Sequence, residues 1–334
     1  MPRDPYIKVW LLNLILPGRF GRWLTSVAIF GVLYGTFSVV GAFDDDNTGT
    51  FSSAAAFFFC VVLAYIVPIY HYINERTEAA LRDLRPALKL NDEEFDHIQR
   101  RISCKHRNWY IWVSCIGLLA GISHNLLLTR SPENPLASLT ASPESATLFL
   151  STNLVWLVMM FAISGLTSNA YIFAQLARRT TIDLLNTATL TPYARVAVSS
   201  TLAVIGAQAS FPLMLIEGDA SPWAFAPGLV ATGGPMVLLL LLPVWPIHRA
   251  IAAAKHARLA ELNRAIAQAP APNPAEPATL ERLNPLLSFR REIHQVSEWP
   301  FDVGLTTRLG LYLIIPPLTW VGAALIENLV EALL

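Results

Sequence analysis

The chain has little charge for its length. Of its 334 residues only 14% are Asp, Glu, Lys or Arg, while 54% are apolar, and a soluble domain carries about 25% charged residues. A soluble fold of this size has no interior large enough for so many apolar side chains. The composition therefore excludes a soluble, disordered or fibrous protein and indicates a polytopic membrane protein.

Cysteine is scarce, and familiar catalytic motifs are missing. Three cysteines do not build a disulfide framework, and their positions imply no oxidising compartment. The sequence has no HExxH, DxxD or GxSxG motif and no helical His pair, so we predict no catalytic residue, no metal ligand and no cofactor. Lys and Arg equal Asp and Glu at 24 each, and the lack of a basic excess argues against nucleic-acid binding.

Long uncharged runs recur along the chain, and a run of about 20 residues matches the hydrocarbon core of a bilayer. Two runs are less regular, because Pro212 interrupts the fifth and Arg308 lies near the start of the seventh. Six spans is therefore the main alternative to seven. The seven runs are residues 23–43, 51–72, 109–128, 146–177, 196–216, 223–247 and 303–326.

The cationic residues predict how the chain threads the membrane. With seven spans, 22 of the 24 Lys and Arg fall on one side, Arg130 falls on the other, and Arg308 lies within the last run. Because Lys and Arg resist translocation, the cationic side is predicted to be cytoplasmic. The predicted fold is all-α: a polytopic membrane helix bundle of about seven transmembrane helices, N-terminus in and C-terminus out, with cytoplasmic helical extensions. We expect it in the plasma (inner) membrane.

The polar segments between the runs predict further organisation. Leu81, Leu84 and Leu88 recur at helical spacing, and Asn91 with Glu94 predicts a capping box that begins a second helix. The short apolar piece at 9–16 is expected to lie flat in the headgroup region. The predicted segments are an interfacial N-terminal piece (1–22), the first two spans (23–72), cytoplasmic helices (73–108), spans three to six (109–247), a cytoplasmic helical hairpin (248–302) with a Pro-rich linker (269–278), and the last span with a short external tail (303–334).

Small residues and apolar stripes predict packing. Gly31 with Gly35, and Gly117 with Gly121, form GxxxG motifs that permit close helix approach. The hairpin carries a stripe of apolar residues whose main interpretation is packing within the chain, with a contact between subunits as the alternative. The residues of its second helix in this stripe are Leu280, Leu283, Leu287, Phe289, Ile293 and Val296.

Polar and helix-breaking residues within the runs are candidate sites. No run contains Asp, Glu or Lys, which weighs against proton- or sodium-coupled transport. His124 and Asn125 either hydrogen-bond between helices or line a wet vestibule. Gly233, Gly234 and Pro235 are predicted to break or kink the sixth span, either as a packing feature or as a substrate site. Interhelical hydrogen bonds are also expected for Asn153, Asn169 and Gln208.

The start of the last run supplies the leading single candidate. Asp302 favours the N-terminus of a helix through the helix dipole. Arg308 either extends back to the cytoplasmic surface, or pairs with Asp302 or Glu298, or faces a water-filled passage and selects anions. These residues are predicted to lie at the cytoplasmic end of the seventh span.

The order of the spans suggests a function. Seven spans, an internal N-terminus, an external C-terminus and cytoplasmic helices before the last span are similar in topology to the insect-chemoreceptor type of ion channel. That resemblance implies subunits joined by their cytoplasmic helices, with the seventh spans lining a central pore. We therefore predict an oligomeric ion channel or pore-forming membrane effector and not an enzyme; its expected partners are the lipid bilayer and further copies of the chain. The alternatives are a small-molecule carrier with a broken sixth span, or a non-catalytic receptor or scaffold with a cytoplasmic protein partner.

Overall fold

The computed structural model describes residues 6–44, 53–128, 142–215, 226–268 and 277–301, with six single positions between 304 and 314. The described residues form eight α-helices, two short strands and several 3₁₀ turns. The strands are β1 (Tyr6–Lys8) and β2 (Cys104–His106), and the helices are α1 (Gly21–Val39), α2 (Ser53–Leu84), α3 (Asp92–Ser103), α4 (Arg107–Leu128), α5 (Pro143–Leu176), α6 (Thr191–Gln208), α7 (Ala226–Gln268) and α8 (Pro277–Gln295).

Six of the described helices are long and apolar enough to cross a membrane, namely α1, α2, α4, α5, α6 with its flanking turns, and α7. They coincide with the first six apolar runs, so the all-α class and these six helices are confirmed. Most of the seventh run, 303–326, lies outside the described residues. The count of seven and the direction of threading therefore stay predictions.

Four helices form the core of the bundle. α2 contacts α5 and α6, and α7 completes the ring because it also contacts α5 and α6. α1 packs on the outside of α2, and α4 packs on the outside of α5. These outer helices expose large apolar side chains such as Trp23 and Leu127, as lipid-facing helices do.

The two GxxxG motifs behave differently. A Cβ added at Gly117 would lie 3.1 Å from the Cα of Leu157, and one at Gly121 would lie 2.9 Å from the Cα of Asn153. The motif in the third span therefore allows α4 to approach α5 closely, as predicted. A Cβ at Gly31 or Gly35 would meet nothing within 4 Å, so the motif of α1 makes no close approach among the described residues.

α7 is one uninterrupted helix through its apolar and polar halves, although it contains three prolines. Of the two predicted outcomes at Gly233, Gly234 and Pro235, a break is therefore wrong, and a kink stays a prediction. A proline removes a single amide donor, and neighbouring side chains can satisfy the backbone of a membrane helix around it. One turn before Pro235, Thr232 donates a hydrogen bond to the carbonyl four positions earlier, at 2.8 Å.

The N-terminal segment is tied into the bundle. β1 pairs antiparallel with β2, and a 3₁₀ turn follows at Trp10–Asn13. Val9 and Leu11 are fully buried, whereas Leu14 and Leu16 are exposed. The first half of this piece therefore fills the protein interior with its apolar side chains, and its position in the headgroup region stays a prediction.

The helical extensions at the polar end agree with the sequence. α2 continues past its apolar run, with Leu81 and Leu84 fully buried. α3 begins with the predicted capping box: Asn91 accepts from the Glu94 amide at 2.7 Å, and Glu94 accepts from the Asn91 amide at 3.2 Å. α8 returns along α7, and Ile293 is buried in this hairpin.

Candidate functional site

Ion pairs gather at one end of the bundle, which we call the charged end. It is the end at which α1 and α6 begin and α2 and α5 end. At the opposite end, the charged residues that the structure describes are Asp44 and Glu144. Among the described residues, Lys and Arg therefore lie at the charged end, as the sequence predicts. The ion pairs of the charged end include Arg22–Glu75, Arg85–Asp92, Arg179–Glu94, Arg195–Asp83, Lys255–Glu298 and Arg258–Glu261.

A buried polar cluster joins three helices and a strand at this end. Asn169 of α5 accepts a hydrogen bond from Lys105 Nζ at 2.7 Å and donates one to Asn74 Oδ1 of α2 at 3.4 Å. Asn74 donates in turn to Ser103 Oγ at 2.8 Å and to Glu78 Oε1 at 3.2 Å. Ser103 also donates to Glu78. Two amides thus connect a buried ammonium group to a carboxylate.

The short strand pair explains how Lys105 comes to lie inside. Successive side chains of a strand point to opposite faces, and in β2 Lys105 is buried while His106 is exposed. Lys105 stands opposite Ile7 of β1. The Val9 amide extends this contact by donating to the Ser103 carbonyl at 3.0 Å. The N-terminal strand therefore fixes the direction in which Lys105 points.

Burial changes the chemistry of Lys105. Lys105 is only 4% exposed. This burial lowers the pKa of Lys105 to about 7, with a smaller contribution from the positive charge of Arg101. Lys105 Nζ donates to two acceptors, the Asn169 side-chain oxygen and the Arg101 carbonyl, the latter at 2.8 Å. The cluster can therefore gain or lose a proton near neutral pH.

A second feature of the charged end is the junction at which the chain leaves α8. The Trp299 ring is stacked on His248 of α7, with ring centroids 4.0 Å apart and planes at 14°. His248 Nδ1 is hydrogen-bonded to the Glu298 carbonyl at 3.0 Å. Lys255 Nζ lies 3.4 Å from Glu298 Oε1 and donates to the Val296 carbonyl at 2.9 Å. These contacts fix the end of the hairpin to α7.

The residues predicted around the last run are only partly described. Glu298 pairs with Lys255, a partner that sequence reasoning did not consider. Asp302 and Arg308 lie outside the described residues, so the roles proposed for them stay predictions.

His124 and Asn125 bond between helices. Asn125 is 2% exposed, and its Nδ2 donates to the carbonyls of Gly121 in α4 at 2.9 Å and Phe149 in α5 at 3.4 Å. Trp156 of α5 donates to His124 Nδ1 at 2.8 Å. These bonds support the packing interpretation of the pair over a wet vestibule.

The other amides of the runs divide into two groups. Asn169 bonds between helices as expected, and Gln208 of α6 does so by donating to Thr232 of α7 at 2.8 Å. Asn153 instead donates to the Phe149 carbonyl of its own helix at 2.8 Å. Asn169 and Gln208 therefore form the expected interhelical hydrogen bonds, whereas the Asn153 amide bonds within its own helix.

Sequence reasoning missed Lys105 and Asn74. Both follow or precede apolar runs, where polar residues are common, so composition alone does not mark them. The alternation of Cys104, Lys105 and His106 was the available signal, but it becomes informative only once β1 is known to pair with this segment. Among the described residues, no three His, Cys, Asp or Glu side chains lie together in a way that would hold a metal ion.

Comparison with protein families, curated proteins and solved structures finds no match for this chain. The similarity to insect-chemoreceptor channels therefore remains one of predicted span order.

Proposed function

We propose that the chain is an oligomeric membrane channel or pore-forming effector whose last apolar run, 303–326, crosses the membrane and lines the conducting pathway. In this proposal the charged end faces the cytoplasm and the protein lies in the plasma (inner) membrane. The α7–α8 hairpin is the element through which cytoplasmic events reach the pathway.

The stacking of Trp299 on His248 is the observation that carries the proposal. The apolar part of α7 ends at Ile247, so His248 marks the level at which α7 leaves the apolar layer. Because Trp299 lies against His248, the chain returns to this level just before its last apolar run. That run of 24 residues would be about 36 Å long as a helix, enough for a hydrocarbon core of about 30 Å.

The packing of the core favours a pathway outside the four-helix ring. Large side chains fill the ring, among them the fully buried Tyr70, Phe173 and Tyr193. α7 is continuous at the position where a carrier was expected to have a broken helix. Both features support a conduit along the last run, between subunits, over a substrate site within the described bundle.

The positive charge of Arg308 leads us to expect that the pathway prefers anions to cations. It is the single cation within the seven apolar runs. A guanidinium group beside a water-filled passage attracts anions and repels cations. Interaction of Arg308 with the cytoplasmic surface remains the alternative role, and the two roles differ in their effect on ion preference.

Flux through liposomes tests the proposal. The full chain should conduct ions above the level of empty liposomes, with anions preferred, and Arg308→Glu should shift the preference toward cations. Arg308→Lys should keep the anion preference. The matched control is Arg264→Glu, because Arg264 is exposed on the hairpin and bonds only to a carbonyl of its own helix among the described residues.

The mass of the solubilised protein supplies the second measurement. A conducting pathway between subunits requires an oligomer in detergent. A monomeric particle that gives no flux would contradict the proposal, and so would a conducting protein whose ion preference is the same with Arg308 and with Glu at this position.

A further inference from the structure

A cationic patch lies where α1 begins beside the end of the apolar part of α2. We define it by Arg22 and Arg76, which lie at the ring of Tyr72, and by Lys8, whose charge acts with that of Arg22 on the neighbouring His71. The guanidinium carbons of Arg22 and Arg76 each lie 5.2 Å from the centroid of that ring. Arg76 Nε also donates to the Tyr72 hydroxyl at 3.0 Å. One aromatic ring thus contacts both guanidinium groups.

The patch keeps unpaired positive charge. Arg22 pairs with Glu75 at 2.9 Å, but both side chains are about half exposed, at 42% and 56%, and such a surface pair is weak. Lys8 and Arg76 have no carboxylate within ion-pair distance among the described residues. The charges of Lys8 and Arg22 both act on His71, as do those of Glu75 and Glu78, and Arg76 joins Arg22 at the ring of Tyr72, the next residue.

The patch also stands at the level of a membrane surface. Tyr72 ends the second apolar run, and Arg22 immediately precedes the first. Trp23, the neighbour of Arg22, is 75% exposed, and exposed Trp side chains are typical of the boundary between hydrocarbon and headgroups. Cations at this depth face the phosphate groups of the lipids.

We propose that Lys8, Arg22 and Arg76 form a binding site for the phosphate of an anionic phospholipid in the leaflet at the charged end. The two guanidinium groups donate hydrogen bonds to the phosphate oxygens, and the ammonium group of Lys8 adds a third positive charge. The acyl chains lie along the exposed apolar face of α1. This site does not depend on whether the protein conducts ions.

Lipid binding by the full-length protein tests the site. The protein is kept in micelles of a zwitterionic phosphocholine detergent and titrated with phosphatidylglycerol. The melting temperature and native mass spectrometry are the readouts. We expect a saturable rise in melting temperature and at least one retained phosphatidylglycerol. The double variant Arg22→Gln/Arg76→Gln should bind it roughly 25-fold more weakly, since each cation near a membrane surface contributes about fivefold.

A matched control removes the same charge elsewhere. Arg100→Gln/Arg264→Gln loses two exposed arginines that bond to carbonyls of their own helices, and its phosphatidylglycerol affinity should equal that of the unaltered protein. Equal lipid affinity in the two double variants would overturn the proposal. Equal protection by inorganic phosphate would also overturn it, because the ligand would then be a free anion and not a lipid.

Discussion

Lys105 donates a hydrogen bond to Asn169, with 2.7 Å between Nζ and Oδ1, and both side chains are buried. Lys105 belongs to the strand pair at the charged end, whereas Asn169 belongs to α5, a helix long and apolar enough to span a membrane. The N-terminal strand is therefore connected to the bundle through a titratable group.

Replacing Lys105 with Met should flatten the dependence of stability on pH. The pKa of Lys105 is lowered to about 7 in the folded protein, while in the unfolded chain it is near 10.4. Between these values the unfolded chain binds the extra proton, so the free energy of unfolding rises with pH, by up to about 1.4 kcal/mol per pH unit. Below pH 7 both states are charged and this contribution no longer changes.

Thermal unfolding in detergent from pH 6 to pH 9 measures this slope. Lys89→Met is the control, since Lys89 is exposed and its loss should leave the slope of the unaltered protein in place. If Lys105→Met has the same slope as that control, Lys105 does not titrate in this range and the account of the cluster is wrong.

Much of the bundle is predictable from the sequence because a membrane imposes simple rules. Length and apolar composition identify α2 and α5, and the spacing of Asn91 and Glu94 identifies the start of α3. The interhelical bonds of Asn169 and Gln208 follow from the cost of leaving an amide unpaired in an apolar layer.

Contacts between distant segments were not predictable in the same way. The burial of Lys105 depends on its pairing with Ile7, and no local sequence pattern predicts β1, a strand of only three residues. Pro235 was expected on local grounds to break or kink α7, yet the helix has no break there. Glu298 pairs with Lys255 because the hairpin folds back on itself. The two residues are far apart in the sequence, so no local pattern predicts this ion pair.

Gly121→Ala should destabilise the bundle. The added Cβ would lie 2.6 Å from Asn153 Oδ1 and 2.9 Å from the Cα of Asn153, so α4 and α5 would have to separate. Overpacking of this kind costs about 1–3 kcal/mol. Chemical unfolding in mixed micelles should report that loss.

Gly31→Ala is the matched comparison in the other GxxxG motif. A Cβ at Gly31 meets nothing within 4 Å, and alanine favours a helix over glycine by about 1 kcal/mol. The free energy of unfolding should stay the same or rise. Equal destabilisation by both substitutions would mean that α1 has a close partner at this face.

Two buried tyrosines should differ in their response to the loss of a hydroxyl. The Tyr193 hydroxyl is hydrogen-bonded to the Thr180 hydroxyl at 2.6 Å. The Tyr70 hydroxyl has no hydrogen-bond partner among the described residues. Tyr193→Phe should therefore lower the free energy of unfolding by about 1 kcal/mol, and Tyr70→Phe should leave it unchanged or raise it. A loss of similar size in Tyr70→Phe would indicate a bound water or another partner at that hydroxyl.

A tag after Leu334 should be reached from the side of the membrane opposite to a tag before Met1. If each of the six long apolar helices crosses the membrane, they return the chain to the side of the N-terminus. The stacking of Trp299 on His248 then brings the chain back to the membrane level on that side. A seventh crossing by residues 303–326 then carries the C-terminus across. Accessibility to a membrane-impermeant protease in oriented vesicles measures both tags, and a third tag inserted into residues 269–276 should be cut together with the N-terminal one. Cleavage of all three tags from the same side would mean six crossings, and the proposed conduit along the last run would fail with the seventh span.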